Sequence, residues 1–241
     1  DLFGQPVAGA WRMWGEFSRY RRLRSGMLSS APAEAGGFIR STPEAAEPDL
    51  QLHFVQAMAS PKLQRGHGHS THVCVLRPHS RGEVRLASAD ARVAPLIDQR
   101  MLSDERDMQL LVEGVRIAKR ILAQPALARF GGSALGHAHF DHLSDGAAIR
   151  AFIVERADSV FHPVGTCRMG SDSQSVLDPQ LRVRGVQGLR VADASVMPTL
   201  IGGNTNAPAI MIGEKAADLI LGRPAPEVPR AAARRQEAVA A

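Results

Sequence analysis

The residues of this chain best suited to do chemistry lie in two short stretches near its end. The first is Phe161-His162-Pro163-Val164-Gly165-Thr166-Cys167-Arg168-Met169-Gly170, and the second is Gly202-Gly203-Asn204-Thr205-Asn206-Ala207-Pro208. An imidazole titrates near neutrality and can take a proton there. A carboxamide can orient an oxygen by hydrogen bonding. Brought to one point, His162 and Asn204 suit removal of a proton from a small polar group. Pro163 restricts the His162 backbone to extended conformations. The two glycines before Asn204 let a ligand approach the backbone closely. A helix beginning after Asn206 would present unpaired amides and the positive end of its dipole to an anion or an electron-rich ring. Each residue also has a plainer reading. A lone histidine is commonly a buried one bonded to a carbonyl, and Asn206 alone would be a helix cap. Capping leaves Asn204 and the paired glycines unexplained.

Asp193 ends a predicted strand, the place where α/β sheets hold nucleotide cofactors; a solvated turn aspartate looks the same in sequence. His67, His69 and His72 form one closely spaced group, and His137, His139 and His142 another. Imidazoles so spaced can bind zinc or copper. Neither group contains His-Glu-x-x-His, Cys74 has no paired neighbour, and no metal is expected. There is no Gly-x-Ser-x-Gly elbow and no Walker-type loop. Gly131-Gly132-Ser133-Ala134-Leu135-Gly136 has serine where the second glycine of a dinucleotide fingerprint belongs. The chain offers no pyrophosphate-binding turn of its own.

The elements that must position these residues follow from periodicity. Residues 9–24 space Trp14, Phe17 and Tyr20 three apart among arginines, as in a short amphipathic helix. Packing of that helix on its own protein is the favoured expectation, with a membrane surface as the alternative. Residues 25–41 are rich in small residues and glycine, which reads as loop. Residues 50–58 and 70–77 read as strands, the second with His72, Cys74 and Leu76 on one face and Val73 and Val75 on the other. Ser80-Arg81-Gly82 reads as a turn leading to a half-buried strand at 84–86. Ser103 is the expected cap of a helix running to about Gln124, with Leu111, Val115, Ala118 and Leu122 as its apolar stripe. A second helix starts at Ser144-Asp145 with Ile149, Phe152 and Ile153 inward. Short strands at 181–183 and 189–191 follow. The last helix spans 207–221, with Asn206 as cap and Gly222 as stop.

The chain has 241 residues, 44% hydrophobic and 22% charged, enough for one large or two small domains. No run of eighteen apolar residues is present, so no transmembrane helix is expected. Nothing before Trp11 resembles a signal peptide, and an opening Asp1 reads as a cut end. Two cysteines make no disulfide framework and fit a reducing, cytoplasmic compartment. The net charge of +5 comes from dispersed arginine clusters with only 5% aromatics, which does not make a nucleic-acid face. The Arg19–Arg24 cluster leaves peripheral membrane contact open.

The ten residues around His162, taken with Arg24-Ser25-Gly26, Glu34-Ala35-Gly36-Gly37-Phe38, Ser80-Arg81-Gly82 through Leu86, Gly188 through Pro198 and the Asn204 stretch, resemble the C-terminal half of glucose-methanol-choline (GMC) oxidoreductases. The resemblance runs over residues 24–221 and is strongest to bacterial flavin-dependent alcohol and choline dehydrogenases. The elements above read as an α+β fold, a sheet with helices over 25–158 after a helical connector (1–24), and the resemblance implies that this is an antiparallel-sheet substrate domain. It further implies that residues 159–222 are the closing segment of a Rossmann-like FAD domain, while the Ala-, Arg- and Pro-rich composition of 223–241 reads as a mobile tail. It implies His162 as active-site base and Asn204 as second catalytic residue. Asp193 and Ala194 match positions at the ribityl–phosphate portion of FAD, and Thr205 and Asn206 match positions near its pyrimidine end. The implied reaction is oxidation of an alcohol, with hydride passing to flavin N5, once an N-terminal FAD-binding segment or chain is supplied. The rival reading is a noncatalytic binding or assembly module that kept the fold.

Overall fold

The computed structural model describes residues 7–31, 33–55, 69–128, 143 and 145–224, the side chains of 7–12 excepted. It divides into two units, Asp1–Phe161 with Ile201–Gly203, and His162–Leu200 with Asn204–Ala241.

Strands β1 (Ala35–Ile39), β2 (Leu50–Val55) and β3 (Ser70–Val75) form an antiparallel sheet in that order in the first unit. Side chains alternate across a pleated strand, so each strand has two faces. Leu50 pairs with Val75 and Leu52 with Val73 on one face, while Gln51 pairs with Cys74 and His53 with His72 on the other. β1 corrects the loop expected over 25–41. Gly36 and Gly37 read as loop residues, yet a Cβ at Gly36 would run into the Leu52 carbonyl oxygen of the neighbouring strand. The glycine is there for close pairing rather than for a turn. A two-stranded ribbon, β4 (Glu83–Arg85) with β5 (Leu96–Asp98), stands apart from this sheet. The 84–86 stretch anticipated β4; β5 was not anticipated, and all three of its residues are exposed.

Helix α2 (Glu105–Leu122) lies on β2 and β3 through Gly114, whose missing side chain makes room for Val73 and Leu50. Its cap is Asp104, not Ser103: the carboxylate accepts from the Arg106 amide at 3.0 Å. The Arg106 guanidinium on the same carboxylate holds Asp104 well below the usual carboxylate range. Helix α2 ends at Leu122, close to the expected Gln124, and Pro125 opens a short helix, α3 (Pro125–Ala128). Helix α4 (Gly146–Arg156) is capped by Asp145 and turns Ile149 and Ile153 into a core with Met108, Val112 and Leu143, Phe152 at its edge. The buried Asp107 carboxylate accepts from the His79 and Ser80 amides, both at 2.8 Å, and fixes the turn there to α2. Sheet with helices on it makes the α+β architecture expected from the sequence.

The aromatic face of helix α1 (Val7–Leu23) does not pack as favoured: Trp14 is 70% exposed and Phe17 is 45% exposed. The helix is held at Glu16, which accepts from the Met27 amide at 2.8 Å, and Arg24 lies over the Tyr20 ring.

The second unit has its own core of Leu177, Leu181, Val196, Met197, Ile212 and Ala216. The strands expected at 181–183 and 189–191 are single bridges instead, Leu177 with Val183 and Arg182 with Arg190. Arg168 grips Asp172 with two nitrogens, at 2.9 and 2.8 Å, and Ser175 donates to the same carboxylate at 2.7 Å. This knot closes the loop that follows the His162 segment. Helix α5 (Asn206–Leu221) supplies Ile212 and Ala216 to the core and ends in left-handed Gly222.

Candidate active site

His162 is half-buried at the start of a segment anchored by backbone hydrogen bonds. Gly165, at φ 89°, turns the chain after Val164 as L-residues rarely can. Cys167 donates to the Ser195 carbonyl at 3.0 Å and Met169 to the Val196 carbonyl at 2.9 Å. These bonds fasten the segment to a single 3-10 turn, Ala194–Val196.

The start of α5 meets the imidazole from the other side. The Asn204 amide nitrogen lies 3.0 Å from His162 Nε2, and Thr205 Oγ1 lies 2.9 Å from His162 Nδ1. Both ring nitrogens are thus engaged by adjacent residues, 42 and 43 positions further along. Thr205 is 8% exposed, whereas the Asn204 end of the pair is open to solvent. A base whose Nε2 contact lies on the exposed side can take a proton from a molecule arriving there.

The expected cap of α5 is corrected here. Asn206 is the first helical residue, and the cap position belongs to Thr205. A threonine there ordinarily accepts from a first-turn amide. Thr205 makes no such bond, because its oxygen faces the imidazole. Asp193 accepts from the Ser195 amide at 2.7 Å and caps the 3-10 turn, and Ala194 sits at the edge of the core. The structure therefore brings together His162, Asn204 and Thr205. Among the described residues no hydrogen bond joins Asp193, Ala194 or Asn206 to the imidazole.

Sequence reasoning passed over Arg168, which looks like a surface cation but closes the loop below His162. It also passed over His53. On the sheet face turned away from α2, the Cys74 sulfur lies 3.8 Å from His53 Nε2 and 4.0 Å from Gln51 Oε1, and burial pushes the thiol above its ordinary range. His72 bonds Ser70 Oγ at 3.1 Å, and His69 stacks on Phe54. His67, His137, His139 and His142 lie outside the described residues. Among the described residues no three histidine, cysteine or acidic side chains gather as metal ligands, and no helix is long and apolar enough to cross a membrane.

Residues 78–213 match the family model described as GMC oxidoreductase, more than half of the chain. The chain belongs to the GMC oxidoreductase family. This GMC chain is 43% identical over 217 residues to the alcohol dehydrogenase (acceptor) of Pseudomonas putida, covering 86% of the chain and 38% of that protein. It is 42% identical over 226 residues to the oxygen-dependent choline dehydrogenase of Ectopseudomonas mendocina, covering 92% and 38%. Among solved structures it is similar to formate oxidase of Aspergillus oryzae RIB40, a protein studied for its FAD modification, with a TM-score of 0.73 at 27% identity over 87% of the chain and 41% of the oxidase. An FAD-dependent oxidoreductase from Chaetomium thermophilum superposes with a TM-score of 0.62 at 30% identity, covering 72% and 28%. The chain spans about two fifths of the length of the curated relatives it matches.

Proposed function

We propose that this GMC chain carries the substrate-side and proton-handling part of an FAD-dependent enzyme that oxidises an alcohol to an aldehyde or ketone. The observation that carries the reading is the imidazole of His162 held between Asn204 and Thr205. His162 accepts the hydroxyl proton of the alcohol, and Asn204 orients the oxygen that loses it. The alkoxide character so produced makes the adjacent carbon a better hydride donor. FAD, when bound, supplies the hydride acceptor at its N5.

The residues around α5 fit a flavin. Thr205 makes no capping bond, so the first-turn donors keep their dipole end uncapped by it, which suits a ring that gains negative charge. Thr205 and Asn206 would lie toward the pyrimidine end, and Asp193 and Ala194 toward the ribityl–phosphate portion. The family likeness supports each of these placements.

The pyrophosphate must be held by an N-terminal FAD-binding segment or chain, for this sequence has no loop to do so. The length of the relatives and the exposed apolar residues Ile210, Ile220 and Leu221 of α5 support such a partner. Alone, the chain is expected to be inactive. The two free thiols support a reducing compartment, the cytoplasm.

The test is replacement of His162 by alanine in the complete, flavin-loaded protein, with flavin reduction by alcohol followed at its absorbance. Loss of a general base is expected to slow reduction about 10²–10⁴-fold. Near-wild-type reduction in His162→Ala removes the reading.

A further inference from the structure

The two contacts on His162 point to one placement of its proton. The atom of Asn204 next to Nε2 is the amide nitrogen, 3.0 Å away. An amide nitrogen donates and has no lone pair to accept with. Nε2 is therefore the acceptor and carries no hydrogen. A neutral imidazole keeps its one hydrogen on the other nitrogen, here Nδ1, which then donates to Thr205 Oγ1 at 2.9 Å.

We propose that Thr205 is a positioning residue for the base: its hydroxyl oxygen takes the Nδ1 hydrogen, selects the Nδ1–H tautomer and keeps the Nε2 lone pair turned toward Asn204. This rests on the reading of His162 as the base. Two features give the threonine that task. Its side chain is buried, and it forgoes the helix cap its position would otherwise serve. The alcohol hydroxyl takes the place of the Asn204 amide at the single Nε2 lone pair, and the amide N–H then donates to the alcohol oxygen. When the O–H bond breaks and that proton reaches Nε2, the imidazolium still donates from Nδ1 to Thr205. The base changes charge without turning its ring.

The test uses Thr205→Val and Thr205→Ser in the complete, flavin-loaded protein. Valine keeps the shape and removes the acceptor; serine restores the oxygen. Thr205→Val is expected to slow flavin reduction, measured per bound FAD, about 10–100-fold, with the fall in kcat rather than KM, and Thr205→Ser is expected to recover most of the rate. Nitrogen-15 NMR of His162 gives a readout free of turnover: the Nδ1–H tautomer in wild type and Thr205→Ser, a mixture in Thr205→Val. Wild-type rate in Thr205→Val overturns the proposal, and so does an Nε2–H tautomer in the wild-type protein, which is decisive even if the valine variant folds poorly. A slowed valine variant with unchanged tautomer and no rescue by serine also overturns it, since that outcome is a packing defect. Full activity in His162→Ala would instead remove the parent reading and leave the tautomer measurement standing.

Discussion

At the scale of single residues, the His162 segment depends on side chains outside the His162–Asn204–Thr205 cluster. Arg168, Asp172 and Ser175 close the loop after His162, and the Arg168 guanidinium holds the Asp172 carboxyl well below the usual carboxylate range. Asp172 is exposed and Arg168 half-buried, so solvent screens the pair and the geometry of the loop matters more than its energy. Cys74 shows the opposite case, a neutral group whose ionised form burial disfavours. A thiol whose folded pKa is raised contributes stability that is full below its unfolded value, near pH ~8.5, and lost as pH rises through the folded value. Unfolding midpoints are thus expected to fall on the alkaline side of that value, and to fall less in Cys74→Ala. Equal alkaline losses in the two proteins would show that the thiol plays no part.

At the scale of elements, glycine and capping residues decide how closely parts meet. Gly114 lies within α2 where the helix crosses β3. A Cβ there would stand 2.5 Å from Val73 Cγ1 and 3.3 Å from Leu50 Cδ1. Val73 is β-branched and has little rotamer freedom to move aside. Gly114→Ala gains about 0.5–1 kcal/mol of helix propensity against about 1–3 kcal/mol of overpacking. Net destabilisation is expected, readable as a lower urea midpoint; a stabilised variant would mean that α2 sits further from the sheet. The same pairs explain what was legible. Strong apolar periodicity gave away α2, while α4 and α5 were legible from the polar residues at their starts and, for α5, from Gly222 at its end. β1 stayed hidden because Gly36 signals a turn in sequence, and only the Leu52 carbonyl beside it shows why glycine is needed. The caps slipped by one residue, to Asp104 and Thr205, because several polar residues in a row can each serve and local sequence does not rank them.

At the scale of the whole molecule, α5 is apolar on more than one side. Ile212 and Ala216 enter the core, while Ile210, Met211, Ile220 and Leu221 remain more than half exposed. A helix apolar all round is one that expects cover on both sides. Under the proposed function that cover is the FAD-binding portion, which makes a specific prediction. Ile210→Asp with Ile220→Asp should weaken the union by several kcal/mol, since each buried isoleucine is worth about 1.5–3 kcal/mol. The purified complete protein should then retain less FAD, measured as flavin absorbance per chain. Unchanged retention would place the cover elsewhere.

The sequence by itself determined the buried face of α2, the alternation in β3, and the identity of His162 and Asn204 as residues to bring together, because periodicity and side-chain chemistry are local properties. The tertiary structure alone decided which nitrogen of His162 meets which neighbour. Asn204 and Thr205 are adjacent in the chain, yet their side chains reach opposite edges of the ring, and that depends on how the start of α5 is set against the His162 segment. Hydrogen-bond direction is a property of that arrangement, and no spacing of letters encodes it.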